Sequence, residues 1–512
     1  MQASKSSPRP NILLITSDQQ HWSTLAVANP RISTPSLDRL CRGGTRFTRA
    51  YCPSPVCSPS RASIITGQYP AWHGCWTIGV KLDEAIPTVG DALGAAGYDT
   101  ALIGKAHFQP LATDPAGGQE SLECQPALRD LEFWRGFHGP WYGFQHVEVA
   151  RNHADESHAG QHYALWLEER GLTNWRDYFQ SWPPDPNAPE RRHSWKLPQE
   201  LHYSAWTAER SIAAIDRSAA AERPFFLWSS FHDPHPPYLV PEPWASMYDP
   251  ADMEPGTLLP GELDRMPPHF AKTQEARPDF SAWRETAWAN HGFSSHRIDD
   301  AALRKNMAVY YGMISFMDQQ IGRILDRLDA LGIADNTLVV FSTDHGHFLG
   351  QHGLTAKGAF HYEDLIRLPF LVRWPGGGVP PGEESRALQN LVDLAPTFLS
   401  AAGLAVPGLM QGIDQSAVWA GSAAPARTVS ITEFRHQPTA IHLRTYVTER
   451  YKVTAYRDRP YGELFDLAED PEERRNLWDE PSATALRAEM TALALNAEIA
   501  REPMRYPRIA HA

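Results

Sequence analysis

Three things are scarce in this chain. Cysteine comes first, with five residues in 512: Cys41, Cys52, Cys57, Cys75 and Cys124. The odd number and irregular spacing exclude a disulfide framework and fit a reducing compartment. Cys52 and Cys57 are separated by four residues, not the two of a zinc knuckle. Long hydrophobic runs come second. None approaches the roughly 20 residues of a membrane span, and the opening Met1 to Pro10 has no apolar core, so neither a leader peptide nor a membrane partner is expected. Positive charge comes third. The formal net charge of -13 argues against nucleic acid, which selects clustered Lys and Arg. An anionic substrate must therefore be drawn by a local positive site, and a cytoplasmic location is the expectation. Oligomeric state is left open, a homo-oligomer included.

What is present is the alternation of an α/β protein. Asn11 to Thr16, Tyr98 to Ile103, Pro224 to Ser230 and Thr337 to Ser342 are apolar runs without a period of two. Such runs read as strands buried on both faces, as in a parallel sheet. Helices are expected over 34–42, with Thr34 as cap and Pro35 at the first position, then over 204–220, 301–331 and 390–402. In the 301–331 segment, Met307, Tyr310, Ile314, Met317, Ile321, Ile324 and Leu328 recur at spacings of three and four, one core-facing stripe. Residues 109–200 and 240–300 lack a sustained period and read as insertions near the site. After about residue 405 short alternating strands and a closing helix over 482–500 suggest a small antiparallel sheet. The expected architecture is thus a large, mostly parallel sheet flanked by helices (1–405), followed by a small α+β subdomain (406–512).

Polar residues gather where the apolar runs end. Asp18 and Gln19 follow the first; Lys105 and His107 the second; His235 the third; Asp344 and His345 the fourth. Ligands bind beyond the carboxyl ends of strands in open α/β sheets. Lys357 and His361 follow in a loop. Cys57 stands in Val56-Cys57-Ser58-Pro59-Ser60-Arg61-Ala62-Ser63. Pro59 can open a helix there, since its missing N–H costs nothing in the first turn. That places Cys57 at a helix N-terminus, where dipole and amides favour an anion, with Arg61 one turn on.

The segment Cys57-Ser58-Pro59-Ser60-Arg61 resembles the sulfatase signature Cys-x-Pro-x-Arg. Around it, in the family's order, stand Asn11 to Gln19, Gly104-Lys105-Ala106-His107, Pro234-His235-Pro236-Pro237, Thr343-Asp344-His345-Gly346, and Leu349-Gly350 with Lys357. Val392 to Thr397 and Glu463 to Leu467 with Asp470-Pro471 also match. Nearly the whole chain is therefore similar to sulfatases of the alkaline-phosphatase superfamily.

The resemblance implies roles. Cys57 would be oxidised to formylglycine by dedicated maturation machinery, and its aldehyde hydrate would be the nucleophile. Asp18, Gln19, Asp344 and His345 would hold a divalent ion together with residue 57, and Arg61 would hold the modified side chain. Lys105, His107, His235, Lys357 and His361 would bind a small-molecule sulfate ester and assist the leaving group. Gln19 and His345 stand where many relatives have aspartate and asparagine, as in the branch of choline sulfatases and phosphonate monoester hydrolases. Oxygen-rich shells suit Ca²⁺, while an imidazole lets Mn²⁺ compete, so Ca²⁺ is expected first. The Lys105–His107 pair, absent from phosphonate enzymes of that branch, favours a sulfate ester of an aryl or sugar alcohol. A phosphonate monoester or phosphodiester hydrolase is the alternative, and a non-catalytic anion-binding relative the third reading.

Overall fold

The computed structural model describes residues 9–114, 119–151, 156–179, 194–285, 291–437, 439–502 and 509. Eight strands form the main sheet: β1 (Asn11–Ser17), β2 (Thr45–Phe47), β3 (Asp99–Gly104), β4 (His146–Val149), β5 (Phe225–Ser230), β6 (Thr337–Thr343), β7 (Leu371–Arg373) and β8 (Glu383–Ser385). Their order is β8-β2-β7-β6-β1-β5-β3-β4. The five strands β6-β1-β5-β3-β4 are all parallel, while β7 runs antiparallel to both β6 and β2. β1 and β6 are buried at every residue, as their unbroken apolar runs require.

Helix α1 (Pro35–Gly43), α2 (Cys57–Thr66), α3 (Tyr203–Ala220) and α4 (Asp300–Ala330) pack around this sheet. The expected stripe on α4 is buried throughout, from Met307 to Leu328. It also carries Asp318, whose carboxylate accepts from the backbone N–H of Ser36 (2.9 Å) and Leu37 (2.8 Å). This corrects the expectation for Thr34. That residue makes no side-chain cap, and its hydroxyl instead accepts from Ala26 N–H at 2.8 Å. The free amides of α1 are satisfied by a distant carboxylate.

The stretch 109–200 is more than an insertion, because His146–Val149 completes the sheet as its edge strand. Around it Trp166, Trp175, Trp195, Trp206, Tyr163 and Phe179 pack mainly against one another. Residues 180–193 of this stretch, and 286–290 of the second, lie outside the described residues.

The C-terminal sheet is antiparallel, β9 (Ser430–Gln437), β10 (Ile441–Val447), β11 (Tyr451–Tyr456) and β12 (Gly462–Asp466), covered by α5 (Thr484–Ala500). It is pinned to the chain just before α2: Glu433 N–H donates to the Pro53 carbonyl (2.8 Å) and the Thr432 hydroxyl to the Cys52 carbonyl (2.6 Å).

Candidate active site

Because β6, β1, β5 and β3 are adjacent and parallel, their carboxyl ends share one edge. Asp344 and His345, Asp18 and Gln19, His235, and Lys105 with His107 leave that edge side by side. Helix α2 brings Cys57 to the same edge. It begins at Cys57 itself, so Pro59 falls at the third helical position and not the first. All ten residues of α2 are buried, so the helix delivers Cys57 into the interior.

The Cys57 sulfur lies 3.7 Å from Asp18 Oδ1, 3.2 Å from His345 Nε2 and 3.1 Å from Lys357 Nζ. Lys357 also reaches His345 Nε2 (3.3 Å) and His235 Nε2 (3.4 Å). The ammonium of Lys105 pairs with the other oxygen of Asp18, both side chains being fully buried. His345 Nδ1 lies 2.9 Å from the Gly346 carbonyl. A carbonyl only accepts, so the ring proton sits on Nδ1 and Nε2 presents its lone pair to the cluster.

Asp344 is held from three directions. Its Oδ1 accepts from Gln19 N–H (3.1 Å) and His345 N–H (3.0 Å), and its Oδ2 from Arg61 Nη1 (3.1 Å). Arg61 donates further to the carbonyls of Ala106 (3.0 Å) and Lys105 (2.7 Å) and to the Ser230 hydroxyl. Its guanidinium thus fastens Asp344 and the Lys105 loop. His361 stands apart from the group. Its Nδ1 pairs with the Thr445 hydroxyl at 2.7 Å, and its carbonyl takes the Lys452 ammonium. His107 is buried beside the group with neither ring nitrogen partnered.

Electrostatics separates Cys57 from the other four cysteines. Burial raises Cys52, Cys75 and Cys124, and pushes Cys41 up to about 12. Burial also pushes Cys57 up, and Asp18 adds to it, yet Lys105, Lys357 and His345 prevail and hold this thiol below its ordinary value. Burial raises Asp18 as well, but Lys105, followed by His235, Arg61 and Lys357, brings it well below the carboxylate range. His235 is held well below the imidazole range by burial and by Lys357.

The donor set suits a divalent cation. One ligand atom from each of Asp18, Cys57, Asp344 and His345 falls within 4.8 Å of the others. Gln19 adds a further acceptor. Its Nε2 donates to His347 Nδ1 (2.8 Å), which fixes the amide and leaves Oε1 buried with no partner. A buried amide oxygen without a donor is costly, and a cation relieves it.

A mixed, largely parallel sheet with these groups at its carboxyl edge and a small antiparallel sheet behind them defines an alkaline-phosphatase-like hydrolase. The chain matches the model of the family described as Sulfatase over residues 10–404, and over residues 350–499 a model described as N-sulphoglucosamine sulphohydrolase, C-terminal. This protein therefore belongs to the sulfatase family. It is 28% identical to the multifunctional alkaline phosphatase superfamily protein PehA of Trinickia caryophylli, over 95% of each chain. It is 28% identical to an arylsulfatase of Clostridium perfringens, over 92% of this chain and 90% of the relative. The crystal structure of a phosphonate monoester hydrolase of Agrobacterium radiobacter superposes with a TM-score of 0.77 at 26% identity, over 96% of both chains. No described helix is long and apolar enough to cross a membrane.

Proposed function

We propose that this chain hydrolyses the sulfate ester of a small organic molecule, an aryl or sugar sulfate, to alcohol and sulfate. The observation that carries the reading is the singular state of Cys57. It is the one thiol of five held below its ordinary value, and it touches Asp18, His345 and Lys357 together. Oxidised to formylglycine by maturation machinery and hydrated, this residue supplies the oxygen nucleophile. Asp18, Gln19, Asp344 and His345 would hold a divalent ion, Ca²⁺ first and Mn²⁺ second, which supplies Lewis acidity and offsets the charge of the ester.

The protein's own groups have distinct tasks. Lys105 and Lys357 present two buried ammonium groups to the non-bridging oxygens, where low dielectric strengthens their pull. His235 Nδ1 is committed to the Pro236 carbonyl (2.6 Å), so its Nε2 carries no proton and accepts from Lys357. The proton for the departing alcohol then comes from the Lys357 ammonium, directly or through His235. Arg61 acts from behind by keeping Asp344 and the Lys105 loop in register. Residues 1–405 form the catalytic unit in this reading, and 406–512 the buttress behind Cys57.

Turnover of an aryl sulfate and an aryl phosphonate monoester, measured side by side on one preparation, tests this. A higher kcat/KM for the sulfate is expected. Preference for the phosphonate would transfer the assignment to the activity of the Agrobacterium neighbour.

A further inference from the structure

The parallel run of strands does not stop at β3. Gly104 pairs with Val149, and Ala150 N–H donates to the Gly104 carbonyl at 3.0 Å. Arg151 therefore leaves β4 beside Lys105-Ala106-His107, at the fifth strand end of the same edge. Its side chain is 3% exposed. Neither its Nε nor its Nη1 has a hydrogen-bond partner. Among the described residues the carboxylate it pairs with is Glu123, at 3.8 Å from Nη1, too long for a hydrogen bond. Glu123 is moreover occupied, since it accepts from His107 N–H (2.8 Å) and Gln109 N–H (2.7 Å). Arg151 lies within electrostatic reach of Cys57 and Asp18. It also bears on His107 and on His158, the latter only half-buried. A buried guanidinium with unused donors beside a reaction centre is costly unless an anion completes it.

We propose that Arg151, flanked by His107 and His158, binds a second anionic group of the substrate, a carboxylate or a further sulfate carried on the alcohol. This deepens the sulfate-ester reading and rests on it. Lys105 and Lys357 serve the group that reacts at residue 57, and Arg151, one strand farther along the edge, serves the rest of the molecule. The substrate class narrows to sulfate esters of acidic alcohols. With a formal net charge of -13 over the chain, the attraction for such a dianion falls to a local cationic well.

The test uses unreactive sulfonates, so that binding is read independently of turnover and of conversion at Cys57. Calorimetry compares benzenesulfonate with the dianions 4-sulfobenzoate and benzene-1,4-disulfonate on the purified full chain. The wild type should bind at least one dianion about tenfold more tightly or better. The better dianion tells carboxylate from sulfate. In Arg151→Met that preference should vanish, with benzenesulfonate affinity moving less than about threefold, while Arg151→Lys should keep part of it. No preference in the wild type overturns the proposal without recourse to any variant. A folded Arg151→Met that weakens monoanion and dianion alike overturns it too, and assigns Arg151 to the reacting group. If instead the dianion preference holds while phosphonates outrun sulfates in turnover, the subsite stands and the reaction class falls.

Discussion

The guanidinium of Arg61, on α2, meets the carboxylate of Asp344, at the end of β6, at 3.1 Å with both side chains wholly removed from solvent. The pair joins the helix that carries Cys57 to the strand end that carries Asp344, a carboxylate of the proposed ion site. Replacing Arg61 by Ala strands a buried carboxylate and three other acceptors. A loss of about 3–5 kcal/mol in unfolding free energy is expected. Arg61→Lys should fold better yet lose divalent-ion affinity, because one ammonium cannot reach Asp344 and the loop carbonyls together. Denaturant melts and a metal titration on the two variants check this.

Gln19 is the second handle. Its Oε1 is buried and unpartnered while its Nε2 is fixed by His347. Gln19→Ala should weaken divalent binding by about tenfold or more, with little change in apo stability, since the lost donor contact is offset by removal of an unsatisfied oxygen. Calorimetric titration with Ca²⁺ and Mn²⁺ gives the answer, and unchanged affinity would remove Gln19 from the ligand set.

Lys357 stands 3.1 Å from the Cys57 sulfur and is nearly inaccessible. Lys357→Met should lower kcat for an aryl sulfate by about a hundredfold or more. Its melting temperature should stay level or rise, because the desolvation cost of a buried ammonium is removed with it. A parallel fall in both would make the lysine structural.

Away from the site, Glu463 on β12 is fully buried, and burial pushes its carboxyl up to about 7. Tyr456 donates to Oε1 and Oε2 has no partner. The folded value lies above the ordinary 4.5, so the folded chain binds the extra proton between these values. Stability from this group is present below pH 4.5 and is lost as pH rises through 7. Glu463→Gln keeps the Tyr456 bond and removes the titration. The difference in stability between variant and wild type should grow from pH 4.5 to 7 by on the order of 3 kcal/mol. A difference independent of pH would contradict the assignment.

Much of this is legible in the sequence. β1 and β6 announce themselves as unbroken apolar runs, and parallel strands put their trailing polar residues on one edge. Asp18, Gln19, Lys105, His235, Asp344 and His345 therefore converge as their positions suggest. What was hidden is non-local. Nothing near Thr34 says that Asp318, 284 residues on, takes the amides of α1, although a carboxylate inside an apolar stripe is a clue. The strand His146–Val149 is only four residues of mixed polarity, so its pairing with β3, and with it the place of Arg151, could not be read from period or run length. His361 misled because a loop histidine near Lys357 in sequence faces the C-terminal sheet in space.

The most direct measurement is peptide mass spectrometry on the protein purified from a host with formylglycine-generating machinery. Trypsin cutting after Arg49 and Arg61 yields one peptide that holds both Cys52 and Cys57. The expected result is formylglycine at 57 and an intact thiol at 52. An intact thiol at 57 would contradict the assignment of this residue as the nucleophile's precursor.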